Sequence, residues 1–160
     1  MDIRTAQETD IPRMVAIAET KRVEYEGYSP IFWRKAPDSA AKQELFLQRL
    51  ITRGDVIALV AETETALSGF IIGTLTSAPP VYNPGGPVCM VDDFAVAHSQ
   101  EWESVGAALL TAVERTAKER GAVLSIVVCA QRDQAKRSLL HKAGSAVASE
   151  WHVKPLEDAS

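Results

Sequence analysis

Cysteine is scarce in this sequence: of 160 residues only Cys89 and Cys129 carry a thiol, each inside an apolar run. Thiols so few and so placed do not make a disulfide scaffold, and they read as buried free thiols in a reducing compartment. Histidine is scarce too. His98, His141 and His152 have no metal-ligand spacing, so no metal is expected. No apolar run approaches the roughly 18 residues that would cross a bilayer. The start, Met1-Asp2-Ile3-Arg4, lacks the charged-then-apolar pattern of a secretory leader. A cytoplasmic protein with no membrane partner is expected. Basic residues are in deficit, with 17 Lys and Arg against 21 Asp and Glu for a net charge of −4. A phosphate backbone is bound by a surplus of Lys and Arg, so nucleic acid is not an expected partner. A cationic or amine substrate stays compatible with the charge.

What is present describes an ordinary globular chain, 46% hydrophobic and 24% charged. Its length fits a single domain spanning residues 1–160. Ile3 to Ala6 alternates as a short strand. Thr9 or Asp10 then caps a helix with Pro12 in its first turn, running to about Tyr25 and ended by Gly27 and Pro30. Asp38 caps a second helix with Ala41, Leu45, Leu47 and Leu50 on one side. Val56–Ala61 and Gly69–Leu75 read as a hairpin, followed by a rigid Pro- and Gly-rich loop from Pro79 to Pro87 and a strand from Val88 to Val96. Ser104 to Arg120 is the clearest helix, stopped by Gly121. Ala122 to Cys129 has the near-continuous apolar character of a strand covered on both faces. A short helix at Gln134–Ala143 and a last strand at Val147–Leu156 complete an α/β pattern.

Chemistry concentrates where the strand Val91–Val96 feeds the helix beginning Val105-Gly106-Ala107-Ala108. A helix entered this way points free N–H groups and its positive end at the turn, which suits a phosphate or pyrophosphate. Gly106 would allow close backbone approach. Strict alternation places Met90, Asp92 and Phe94 on one face of the strand, and Val91, Asp93 and Ala95 on the other. Two adjacent acids in an apolar strand are costly to bury without purpose. Either one accepts a proton, or both pair with Arg or Lys; Asp93 reads as the more structural. Tyr25, Tyr28, Phe32 and Trp33 gather in one segment, as a ligand-contacting lid or as a plug over the core. Glu24 and Glu26 beside them either hold a cationic amine or are merely solvated. Cys129 has no partner His or Asn nearby and reads as a core thiol.

The strand ending Phe94-Ala95-Val96, the turn into Val105-Gly106-Ala107-Ala108-Leu109-Leu110 and the helix ending at Gly144 together resemble the GNAT superfamily of N-acetyltransferases. The resemblance spans the whole chain. The family's turn reads Gln or Arg, two residues, Gly, one residue, then Gly or Ala; those positions hold Glu101, Ser104 and Gly106. The family's Asn, Tyr and Gly-Phe farther on correspond to Asp133, Leu140, Gly144 and Ser145.

This resemblance implies an α/β fold with a GNAT-like mixed central sheet of about six to seven strands flanked by about four helices. Splayed strands ending at Val96 and Cys129 would form the coenzyme A cleft. It implies acetyl-CoA as co-substrate, held by Phe94, Val96, Glu101, Trp102, Ser104, Val105, Gly106, Ala107, Asp133 and Leu140. The Val96 N–H would polarise the acetyl carbonyl, and Asp92 would take the amine's proton. Tyr25, Tyr28, Trp33 and Asp92 would receive the acceptor, a primary amine of a small molecule or peptide that attacks directly. The alternative is a divergent member that binds CoA or acyl-CoA without transfer, as a sensor or interaction module. Ser104 could cap the helix through its hydroxyl. At Leu140 the Tyr hydroxyl that protonates the departing thiolate is missing, and the adjacent His141 points about 100° away. Edge-strand pairing makes a homodimer an expectation of the same resemblance.

Overall fold

The computed structural model describes residues 1–157. Its strands are β1 (Asp2–Thr5), β2 (Val56–Glu62), β3 (Leu67–Thr76), β4 (Val88–Val96) and β5 (Leu124–Val127). Its helices are α1 (Ile11–Tyr28), α2 (Ser39–Leu50), α3 (Ala107–Glu119) and α4 (Gln134–Lys142). The strands lie side by side in chain order, antiparallel from β1 to β4, with β5 parallel to β4 after the α3 crossover.

Two apolar layers hold the sheet. Met14, Ile17 and Leu47 of α1 and α2 pack on Val60, Phe70 and Ile72 on one face. Leu109, Leu110 and Val113 of α3 pack on Ile71, Val91 and Phe94 on the other. β2 is sandwiched between the layers and buried at every position but its last, which explains its unbroken apolar run.

Three expectations need correction. α1 runs through Gly27 to Tyr28, because one interior glycine costs only about 1 kcal/mol and the turn stays bonded, with the Ser29 N–H on the Tyr25 carbonyl. Among the described residues the sheet has five strands, not six to seven. Val147–Leu156 alternates in sequence but lies exposed, with no described strand beside it to complete a ladder. β5 is shorter than expected and is not covered on both faces: Leu124 is 50% and Ile126 40% exposed. α3 packs over β1, β2 and β3, and β5 lies at the sheet's edge beyond it.

Candidate active site

β4 has two unlike edges. Toward β3 it is laddered from Val88 to Val96. Toward β5 the pairing stops at Val91–Val127, with a last bond from the Val128 N–H to the Val91 carbonyl at 2.9 Å. Beyond that point the Ala97 N–H donates to the Ser68 carbonyl on the β3 side at 2.7 Å. Backbone groups alternate along a strand, so the Val96 N–H and both backbone groups of Phe94 point the other way, into the gap left by β5. The Phe94 carbonyl shows this directly, since it accepts from Lys136 Nζ at 3.2 Å.

Side chains from three elements fill that gap. Asp133 caps α4, its Oδ1 accepting from the Lys136 N–H at 3.2 Å. Its other oxygen meets Lys21 Nζ at 2.8 Å and accepts from the Tyr25 hydroxyl at 3.0 Å, both reaching over from α1. Lys136 is 3% exposed. Burial pulls its ammonium down to a pKa of about 8. The Tyr25 hydroxyl is pushed up by burial and then by the Asp133 charge. Trp102 stands edge-on to Phe94, ring centroids 4.9 Å apart, and both Lys21 and Lys136 ammonium groups lie over its ring. The buried Trp102 indole N–H has no hydrogen-bond partner among the described residues.

The turn from β4 to α3 is tighter than the sequence suggests. A 3-10 turn at Ser99–Glu101 leads into a single π turn at Trp102–Gly106. The Glu101 carboxylate folds back to accept the His98 N–H at 3.1 Å. Ser104 does not cap the helix; its hydroxyl donates to the Glu101 carbonyl at 3.3 Å. Gly106 is there for packing, since a Cβ would sit 2.7 Å from the Trp102 ring and 3.0 Å from Leu139. A cavity of about 250 Å³ lies at the end of β4, between Thr20, Lys21 and Glu24 of α1 and Val96, His98 and Trp102. A second hollow of about 340 Å³ separates α3 from α4, with Ala107 and Leu139 in its wall. Glu103, Glu114 and Lys142 line it; Lys142 is ion-paired with Glu103, and the remaining Glu114 carboxylate opposes a phosphate there.

The model of the Acetyltransferase (GNAT) family matches residues 19–144. The chain belongs to the GNAT family. Similar solved structures include a mutant of the BH1408 protein of Bacillus halodurans, at TM-score 0.84 and 13% identity, covering 98% of this chain and 100% of that one. A predicted acetyltransferase with acetyl-CoA from Clostridium acetobutylicum aligns at TM-score 0.74 and 18% identity, over 96% of this chain and 95% of that one. A ribosomal-protein-alanine N-acetyltransferase from Brucella melitensis aligns at TM-score 0.67 and 18% identity, over 98% and 100%. No curated protein matches the sequence.

Within this GNAT fold, the acid pair departs from strict alternation. Register runs from Ile72–Asp93 straight to Gly73–Val91, so Asp92 is a bulged extra residue, exposed and without a β3 partner. Asp92 therefore stands outside the alternation, and Val91 and Phe94, two residues with the acid pair between them, both lie over α3. Asp93 pairs with Ile72 and shares its face, toward α1 and α2. Burial, then the Asp92 charge, raises the Asp93 carboxyl above its ordinary value, with the Arg22 charge opposing. Tyr28 and Trp33 each pack against Tyr25 with tilted rings, their centroids 5.5 Å and 4.9 Å from its own. Glu24 accepts from the Tyr28 hydroxyl and Glu26 from the Lys35 N–H, so both carboxylates are engaged within the chain. Leu140 packs against the α3-side core and offers no donor. Val105 is core as well.

The family's co-substrate meets both a match and an obstacle. The inward Val96 N–H and Phe94 carbonyl, with the orphaned Trp102 N–H beside them, fit an amide-bearing arm laid along β4. Lys136 Nζ must leave the Phe94 carbonyl to admit it. Sequence reasoning passed over Lys21 and Lys136, and it read Asp93 as the more structural of the two acids. For Lys136 a signal existed: it lies three residues after Asp133 and four before Leu140, on the same face of α4 as both. Among the described residues no group of three His, Cys, Asp or Glu side chains could hold a metal, and no helix is long and apolar enough to cross a membrane.

Proposed function

We propose that this GNAT member transfers an acetyl group from acetyl-CoA to a primary amine of a small molecule or peptide. The observation that carries the reading is the unpaired edge of β4, where the backbone groups of Phe94 and Val96 face a gap instead of a strand. Acetyl-CoA supplies the activated acetyl group that the amine takes in exchange for the thiol.

The chain's own residues divide the remaining work. The Val96 N–H donates to the acetyl oxygen, where negative charge develops, and a fixed backbone donor needs no rearrangement to do so. The backbone N–H groups of the turn after Val96 line the cavity at the strand end and receive the phosphates there, while Lys21 beside them stays paired with Asp133 and Glu24. The acceptor approaches from the α1–α2 side, past the aromatic cluster of Tyr25, Tyr28 and Trp33. Asp93, rather than the exposed Asp92, takes the amine's proton, because its raised carboxyl on that face is the better-matched base. Asp92 keeps it raised by its neighbouring charge.

The test is thiol release across an amine panel, with Asp92→Asn and Asp93→Asn compared. Asp93→Asn is expected to lower kcat about a hundredfold with acetyl-CoA affinity unchanged, and Asp92→Asn to stay within about threefold. An Asp93→Asn enzyme with an unaltered rate removes the base assignment. Cofactor binding with no thiol release for any amine assigns the chain to the non-catalytic, CoA-binding alternative.

A further inference from the structure

Resting on that reading, we propose that Lys136 is the proton donor to the departing thiol, taking a role that Leu140 cannot fill. Lys136 reaches the gap between β4 and β5 from α4, and its Nζ sits on the carbonyl of Phe94, two residues before the Val96 N–H. The partner of that ammonium matters. Because that partner is a neutral carbonyl and not a carboxylate, an arm that takes the carbonyl's place releases the ammonium into the gap beside the strand without breaking an ion pair.

Each other acid in the gap is otherwise engaged. Lys21 is ion-paired with Asp133 at 2.8 Å and with Glu24 at 3.1 Å. The Tyr25 hydroxyl already donates to Asp133 and is made a weaker acid by burial. The Cys129 thiol is likewise pushed up by burial and donates to the Ala130 carbonyl. Lys136 is the exception, because burial among apolar rings makes it a stronger acid than an ordinary lysine. The titratable groups facing it are Lys21 and Tyr25 of α1, Asp93 of β4, Cys129 after β5, and Asp133 at the start of α4. As the C–N bond forms and the C–S bond breaks, one Nζ–H bond breaks and an S–H bond forms. The neutral amine of Lys136 then regains its proton from water.

Two readouts on wild type, Lys136→Met and Lys136→Arg test this. One is the pH–rate profile; the other is the far-ultraviolet titration of the thiol of bound CoA. In wild type the rate is expected to fall above pH about 8, and bound CoA to ionise below its free value. Lys136→Met is expected to lose about fiftyfold in kcat, lose that alkaline limb, and return the bound thiol to its free titration or above. Lys136→Arg keeps the charge but cannot release a proton, so it should keep the thiol shift and lose the rate. Lys136→Met with unchanged rate and thiol titration overturns the proposal. So does Lys136→Arg at full rate, a result that stands even if the Met variant does not fold. Absence of CoA binding to wild type at millimolar concentration overturns the underlying reading and this one with it, whereas normal binding with indifferent variants overturns this one alone.

Discussion

The two edges of β4 show how one strand serves both stability and chemistry. On the β3 side the ladder continues to Val96, between buried residues such as Phe70, Ile71 and Ile72. On the β5 side it covers Val88 to Val91 only, and Lys136, Asp133 and Lys21 occupy the space past Val91. The strand itself buries apolar residues on both sides of this divide, Val88, Cys89 and Val91 before it and Phe94, Ala95 and Val96 after the two acids. The difference lies in where the neighbouring backbone stops, and the polar groups released there are the ones a ligand can use.

That contrast can be broken by mutation. Phe70, fully buried against α1 and α2, should carry the largest effect: Phe70→Ala is expected to cost about 3–5 kcal/mol in urea unfolding. A cost under about 1 kcal/mol would mean that the β3 side does not dominate stability. The charged gap should show an intermediate effect with a distinctive sign. Lys136 titrates at about 8 in the fold against 10.5 ordinarily, so between those values the unfolded chain binds the proton and the native chain does not. Stability should therefore rise with pH across that window, by at most about 3 kcal/mol, and Lys136→Met should flatten the rise. A wild-type curve flat from pH 8 to 10.5 would place the Lys136 ammonium in contact with solvent. The smallest effect belongs to the exposed edge, where Ile126→Thr should stay within about 0.5 kcal/mol of wild type. A larger loss would show that β5 is covered in solution.

Much of the scaffold was legible because local signals agreed with the fold. β4 begins and ends where its apolar run does, and Gly121, at φ 92°, ends the α3 segment in a conformation that glycine tolerates. β5 and Val147–Leu156 were misjudged for one reason. An apolar or alternating run specifies a strand's preference, whereas cover and pairing come from elements distant in sequence. The acid pair failed differently. A one-residue bulge at Asp92 shifts every later side chain to the opposite face, and nothing in Val91-Asp92-Asp93-Phe94 announces it. Gly106 carried the family pattern for a reason of its own, as the space under it belongs to Trp102 and Leu139. Lys136 was overlooked because a lysine on a short polar helix reads as solvated, and only the fold reveals its burial.

The central claim is that acetyl-CoA lies along the unpaired edge of β4. Backbone amide NMR during titration with acetyl-CoA tests it most directly. The account predicts saturable shifts largest at Val96, with Phe94 and Lys136 moving together as the Lys136 ammonium leaves the Phe94 carbonyl. Shifts confined to the hollow between α3 and α4, or none at millimolar cofactor, would contradict it.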